Sequence, residues 1–284
     1  AKEAESIGST HGTDNESNRR TSDNSDYKLE AGGSALAPAD ISGAKMSVWR
    51  DHVQAAYNTE HFGFDAGYTG SYFDFSKVGQ LPFGGNKPFD SLHKFNARLT
   101  VRGGLWGDVS GFASVRGSLG YERNPGNGFG GTAIAGISVP LNGQWVMRVG
   151  GGVSVNKVET QPVPVIAFRY QSNDRFIADL GFPRTEISWL GASWWTIRLT
   201  GGLESGYYQL ASDNLVARNG YVTILTPQTG LWLDIHPIEG LSASIGALYT
   251  LPGNMTFYQE DGSRIKRFGV GGAPGGALKL QYTF

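Results

Sequence analysis

The sequence contains no cysteine among its 284 residues. This absence excludes disulfides, thiolate metal sites, cysteine nucleophiles and thioether haem attachment. No stretch of about 18 apolar residues occurs either, which excludes a transmembrane helix. Net charge is also nearly absent, because 24 Lys and Arg stand against 25 Asp and Glu. The composition therefore gives no indication of a nucleic-acid partner.

Apolar and polar residues alternate with a period of two, and helical periodicity is nowhere sustained. Such segments run for about 12–16 residues, whereas strands of soluble proteins are usually about 5–6 residues long. The polar face of these segments also carries Arg and Glu, where a soluble core needs apolar side chains. A membrane barrel has the opposite requirement, because its apolar face contacts lipid and its polar face lines the lumen.

The sequence therefore predicts an all-β fold, a transmembrane antiparallel up-and-down β-barrel that covers residues 27–284. Short periplasmic turns should alternate with longer extracellular loops, the last of them at Phe257–Gly272. Fourteen strands fit between these connections. An alternative with 12 strands places the short hairpin at residues 176–190 inside the lumen. Residues 1–26 are almost devoid of apolar side chains and predict a disordered periplasmic tail.

Tryptophan positions provide a check on the orientation of the strands. Six of the seven lie within about four residues of a predicted short turn, where an interfacial aromatic girdle belongs. They are Trp106, Trp145, Trp189, Trp194, Trp195 and Trp232.

The C-terminal segment Ala277–Phe284 (ALKLQYTF) is amphipathic and ends in an aromatic residue. It resembles the C-terminal insertion signal of Gram-negative outer-membrane barrels, in which Leu278, Leu280, Tyr282 and Phe284 would share the lipid-facing side. The resemblance implies a chain that is folded by the barrel-assembly machinery, with a periplasmic C-terminus. A second segment, Asn173–Arg184 (NDRFIADLGFPR), is similar to part of certain outer-membrane barrels without an assigned function, and it implies no catalytic residues.

Strand parity predicts which charged residues line the lumen. The candidates are Arg50, Lys94, Arg98, Arg102, Arg116, Arg148, Arg198, Glu122, Glu204 and Asp234. With Asp65 and Lys279 added, basic residues outnumber acidic ones by eight to four. An open lumen of this kind would pass small polar solutes or ions with a mild preference for anions. A self-neutralising Arg–Glu network that fills the barrel is the alternative.

Two other classes of function remain to be weighed. An outer-membrane hydrolase needs a histidine beside a nucleophile or carboxylate, and only His52 falls on a plausible lumen face without such a spacing. A non-conducting receptor or scaffold would use the outer loops. We expect no enzyme, no cofactor and no metal site. The expected partners are outer-membrane lipid and lipopolysaccharide, the assembly machinery and a small polar solute, whereas a protein partner remains unknown.

Overall fold

The computed structural model describes residues 26–173 and 175–284. The predicted tail lies outside these residues except for Asp26, which already belongs to the first strand. The strands are β1 Asp26–Ile41, β2 Ala44–Asn58, β3 Phe62–Ser76, β4 Ser91–Trp106, β5 Val109–Tyr121, β6 Phe129–Pro140, β7 Trp145–Asn156, β8 Thr160–Asn173, β9 Phe176–Phe182, β10 Arg184–Ala192, β11 Trp195–Gln209, β12 Tyr221–Ile238, β13 Leu241–Thr250, β14 Gly253–Tyr258, β15 Arg264–Val270 and β16 Ala273–Thr283.

The wall is a closed antiparallel barrel of 14 strands. Each of β1 to β12 pairs with the next, β13 pairs with β16, and β16 returns to β1 with Lys28 opposite Thr283. Because the sheet closes, the strands around most of the wall have no free edge. Their backbone N–H and C=O groups are therefore hydrogen-bonded to neighbouring strands where water is absent. The predicted strand number is therefore confirmed. The hairpin of β9 and β10 pairs with β8 and β11 in the wall, so the 12-strand alternative is wrong.

The predicted final loop at Phe257–Gly272 is instead a continuation of the last two strands. Here β14 pairs with the beginning of β12 and with β15, and only Gln259–Ser263 connects the hairpin. The alternation breaks at Leu251–Pro252 and at Gly271–Gly272, where the strands bend. Beyond the bends, Met255, Phe257 and Phe268 are buried, which explains why this hairpin folds instead of remaining a loop.

The two ends of the barrel differ. The turn end carries Asp26, Phe284 and short connections such as Gly107–Asp108, whereas the loop end carries Lys77–Asp90, Glu122–Gly128 and Leu210–Gly220. Aromatic residues form a girdle at the turn end, including the half-buried Trp145 and Tyr170, whose rings are tilted with centroids 4.7 Å apart. Other members are Trp106, Trp189, Trp194 and Phe284.

Trp232 does not belong to this girdle, contrary to the sequence-based expectation. It lies opposite Arg198 on β11, and its indole N–H donates to the Thr200 hydroxyl at 3.2 Å. The ring packs over Gly246, where an added Cβ would lie 2.6 Å from a ring carbon. Trp232 therefore fills the barrel interior, and the glycine on the neighbouring strand provides the space for it.

The hairpin of β9 and β10 is too short to complete the wall. Its seven-residue strand β9 spans roughly 18 Å along the membrane normal, against an apolar band of about 25 Å. Among the described residues, β8 from Thr160 to Val165 and β11 from Leu203 to Tyr208 consequently have no strand partner on the hairpin side. We call this opening, between Thr160–Val165 and Leu203–Tyr208, the wall gap.

No helix in the described part of the chain is long and apolar enough to cross a membrane.

Candidate functional site

The barrel interior is the candidate site, and the turn-end half of it contains a network of ion pairs. Glu30 on β1 contacts His52 at 3.1 Å and the Lys279 ammonium at 3.3 Å. Asp179 accepts from Arg148 at 3.3 Å and lies 3.5 Å from Arg169. Period two directs these side chains inward because their neighbours in sequence face lipid.

The most buried member of the network is the pair Arg198–Asp234. The side chains are 3% and 2% exposed, and two hydrogen bonds of 2.9 and 3.0 Å join the guanidinium to the carboxylate. Glu186 lies 3.7 Å away, and Trp232 stacks against the guanidinium at 5.3 Å. A charge neutralised this closely is costly to separate from its partner and contributes little to a conducting path.

Midway along the barrel the balance of charge changes. Arg98 and Arg116 lie directly opposite each other on β4 and β5, and Asp65 accepts from Arg98 at 2.7 Å. The Arg116 Nε is buried without a hydrogen-bond partner among the described residues. Lys94 lies within electrostatic range of Arg116, Arg50 and Glu204.

We call Arg50, Lys94, Arg98 and Arg116 the cationic cluster. Arg50 forms an ion pair with Glu204 and Arg98 forms one with Asp65, so in the ion pairs of the described residues two carboxylates face four cations. The cluster therefore carries an excess of positive charge.

Two further predicted lumen residues lie away from the cluster. Arg102 is at the turn end, where its backbone N–H donates to the carbonyl of His61 at 2.9 Å. Glu122 lies beyond β5 at the loop end and is buried. It accepts from the Ala211 N–H at 2.8 Å and from the Asn214 side chain at 2.9 Å. Glu122 thus anchors a loop, and it does not line the open interior.

The loop-end half of the barrel contains an apolar core, which the sequence interpretation missed. Inward side chains of β1 to β4, of β11 and β12 and of β14 to β16 pack there with the connection Lys77–Asp90. We call this core the apolar plug. Its larger members are Ile41, Met46, Phe73, Phe75, Leu81, Phe89, Leu92, Leu210, Met255, Phe257, Phe268 and Val270.

Two aromatic residues of the Lys77–Asp90 connection pack against strand residues of the plug. Phe89 packs edge-on against Phe73 with ring centroids 4.9 Å apart, and Phe83 packs against Phe257 at 5.2 Å and against Phe268 at 5.4 Å. The connection therefore folds into the barrel mouth and does not project from it. A small cavity lined by Val48, Phe73 and Arg50 lies where the plug meets the cationic cluster.

The end of β11 crosses the barrel and separates the plug from the strands β6 to β8. Gln209 pairs in parallel with Tyr121 of β5, and the Gln209 carbonyl accepts from the Glu122 N–H at 2.9 Å. Gly120 permits this approach because a Cβ there would overlap the Tyr207 carbonyl oxygen. The plug is thus enclosed on one side, and the inner face of β6 to β8 looks onto a separate cleft.

Water reaches the interior mainly on the side of β8 to β11. The side chains of Glu204, Asp179 and Arg184 are 51%, 31% and 44% exposed although each faces inward. The inner face of β6 to β8 is formed by small or polar residues, including Thr132 and Ser154, whose hydroxyls are 3.1 Å apart. This accessible region lies next to the wall gap.

The four residues of the predicted insertion signal lie on one face of the C-terminal segment. Leu278, Leu280, Tyr282 and Phe284 are exposed on the outer face of β16, and Lys279 between them points to Glu30 inside. Many other large apolar side chains are exposed around the wall, such as Phe95, Leu199 and Ile245. In water such a surface would aggregate, so it indicates a lipid environment.

Comparisons with known proteins find similarity to solved structures at low sequence identity. No family model matches the chain, and no curated protein is similar to it in sequence. A deltaS2 mutant of the TodX monoaromatic hydrocarbon channel superposes with a TM-score of 0.48 at 10% identity, covering 93% of this chain and 91% of that one. An outer-membrane channel from Pseudomonas putida F1 superposes with a TM-score of 0.46 at 10% identity, covering 97% and 100%.

The closed antiparallel wall, its apolar outer face and its charged interior define a transmembrane β-barrel of the outer-membrane class.

Proposed function

We propose that the protein is a channel of the Gram-negative outer membrane that admits small polar solutes and prefers anions. In this proposal the loop end faces the outside, and both the N-terminal tail and the C-terminus are periplasmic. Outer-membrane lipid and lipopolysaccharide surround the wall, and the assembly machinery recognises the C-terminal strand. Shorter connections at the end that carries the termini support this orientation.

The observation that carries the proposal is the cationic cluster. Among the described residues, four basic side chains share two carboxylates, and one of these, Glu204, is accessible to water. The Nε of Arg116 has no hydrogen-bond partner within the described ranges. Fixed positive charge in a narrow passage with low-dielectric walls concentrates anions and repels cations. The ion pairs nearer the turn end are neutralised and add little to this field.

The test is single-channel conductance of the refolded protein in a planar bilayer under a salt gradient. The proposal expects discrete steps with a reversal potential on the anion side. Arg116→Gln should shift that potential towards cations, whereas Arg218→Gln, on the exposed loop between β11 and β12, removes the same charge without changing it. Steps that favour cations, or no difference between the two variants, would contradict the proposed role of the cluster.

The alternative function is a non-conducting structural or binding barrel. The apolar plug favours it, because this core fills the loop-end half of the interior along β1 to β4. Absence of conductance steps from protein shown to be folded would support this alternative. No observation in the described part of the chain favours a hydrolase, since His52 contacts Glu30 and no nucleophile is positioned by it.

A further inference from the structure

The wall gap has two edges, and each is adapted to remain unpaired inside a membrane. On the β8 edge, the Gln171 N–H donates to the Gln144 carbonyl, and the Asn156 N–H donates to the Glu159 carbonyl. In an antiparallel pair these bonds recur at every second residue, so the odd-numbered residues of β8 bond to β7. The N–H groups of even-numbered residues therefore point to the other side, towards the gap.

Both even-numbered positions in the middle of that edge are proline. Pro162 and Pro164 lie opposite Val153 and Gly151 of β7, at positions that make no bond to β7. Proline has no N–H, so these two residues remove the donors that would otherwise be left unsatisfied in lipid. An unpaired donor is costly in an apolar environment, so their placement makes an open edge tolerable.

The β11 edge is satisfied by a different means. The His236 N–H donates to the Trp194 carbonyl, so the even-numbered residues of β11 bond to β12. Of the odd-numbered ones, Leu203 and Ser205 face the gap, whereas the carbonyls of Tyr207 and Gln209 lie against β5. The Ser205 carbonyl on this edge accepts from the Lys94 ammonium at 3.1 Å, from inside the barrel. The Leu203 N–H bonds to Pro183 at the hairpin tip. Lys94 of the cationic cluster thus lies directly behind the opening.

The gap lies within the apolar band and has a defined outline. Pro162 is eight residues above Tyr170 of the turn-end girdle, which corresponds to roughly 20 Å along the membrane normal. The hairpin tip at Pro183 forms its lower border. At the upper border, the Lys157 ammonium lies 5.1 Å from the ring of Tyr221, and that ring stacks on Tyr207. The opening therefore leads from lipid, not from the loop-end surface.

We propose that the wall gap is a lateral port through which amphiphilic anions pass between the surrounding lipid leaflet and the barrel interior. The frame is apolar, with Pro164, Phe182 and Leu203 exposed, and it suits an alkyl or aromatic body. Lys94 behind it suits an anionic group such as a carboxylate or sulfonate. The apolar plug closes the axial route beside it, so the port provides the path for bulky solutes. This inference rests on the proposed channel function and names the class of solute.

The test uses vesicles that contain the refolded full chain and an internal cyclodextrin trap. The probe is a fluorescent decyl sulfonate, which remains ionised and therefore crosses a bare bilayer slowly. Because the chain has no cysteine, Ser205→Cys can be labelled uniquely with a polyethylene-glycol maleimide at the gap. Ser263→Cys, on the exposed connection between β14 and β15, is the matched control for the same label.

We expect the unlabelled protein to accelerate uptake, labelled Ser205→Cys to fall to the protein-free rate, and labelled Ser263→Cys to remain as fast as the unlabelled protein. Uptake that is unaffected by the label at Ser205→Cys would overturn the lateral port. Chloride conductance without sulfonate uptake would also overturn it and leave the proposed channel intact. The absence of both conductance and uptake would refute the channel and the lateral port together. Lys94→Gln should slow uptake of the sulfonate but not of an uncharged decyl analogue, a difference that a general loss of folding would not produce.

Discussion

The guanidinium of Arg198 donates two hydrogen bonds to the carboxylate of Asp234 between the adjacent strands β11 and β12. Asp234→Asn should lower the free energy of unfolding by about 3–5 kcal/mol, because a buried guanidinium then lacks its counter-charge. Replacing both residues, Arg198→Met with Asp234→Leu, should cost less than the single change. Urea unfolding in lipid vesicles, followed by tryptophan fluorescence, measures both. A double variant as unstable as the single one would contradict this explanation.

Gly120 permits β11 to cross the barrel and enclose the plug. Gly120→Ala should separate β11 from β5, because the new methyl group would overlap the Tyr207 carbonyl. We expect a larger and noisier conductance. We also expect the folded barrel, which migrates as a compact band on a gel, to unfold at a lower temperature. Gly117→Ala on the same strand is the control, since nothing lies within 4 Å of a Cβ there. Equal behaviour of the two variants would mean that the crossing does not depend on this contact.

Phe89 joins the Lys77–Asp90 connection to the plug through Phe73 and Phe75. Phe89→Ala should lower the free energy of unfolding by about 3–5 kcal/mol, as expected for loss of a buried aromatic side chain. The same variant should admit larger solutes in a vesicle-swelling assay because the plug loosens. Leu215→Ala, on an exposed loop residue, should change neither quantity. Unchanged solute size in Phe89→Ala would show that the plug does not limit the path.

Pro162 and Pro164 remove the donors from the middle of the β8 edge. Replacing both with threonine should restore two N–H groups that face lipid, and the edge should then pair with another strand. We expect dimers in detergent, detected by light scattering, and slower uptake of the sulfonate probe. Val163→Thr is the matched control because its N–H already points to β7. A monomeric double variant with normal uptake would contradict the edge argument.

Much of the wall could be predicted from the sequence because lipid imposes a strict rule on it. Residues such as Leu199 and Ile245 must face outward, and their neighbours must then face inward. The same rule placed the cationic cluster, and it would also have found Glu30 and Arg169 if applied to β1 and β8. Trp232 was misplaced because its proximity to a turn, and not the alternation on β12, was taken as the guide to its orientation.

The plug and the wall gap depend on contacts that periodicity does not report. Near the loop end, inward positions such as Met46, Phe73 and Phe75 are apolar where a lumen should be polar, and this was the available signal for the plug. For the gap, the signal was Pro162 and Pro164 within an apparent central strand. Neither pattern reveals which loop or strand lies opposite, since that depends on the three-dimensional path of β11.

The side chain of Asn214 joins three separate connections at the loop end. It donates to the Pro88 carbonyl at 2.6 Å and to Glu122 at 2.9 Å, and it accepts from the Val216 and Ala217 N–H groups. An antibody or phage fibre that approaches this end would therefore bind a surface whose loops are already ordered. Its affinity would depend on shape complementarity, with little entropy lost in ordering the loops. Substitution of Asn214 would alter several distant epitopes at once.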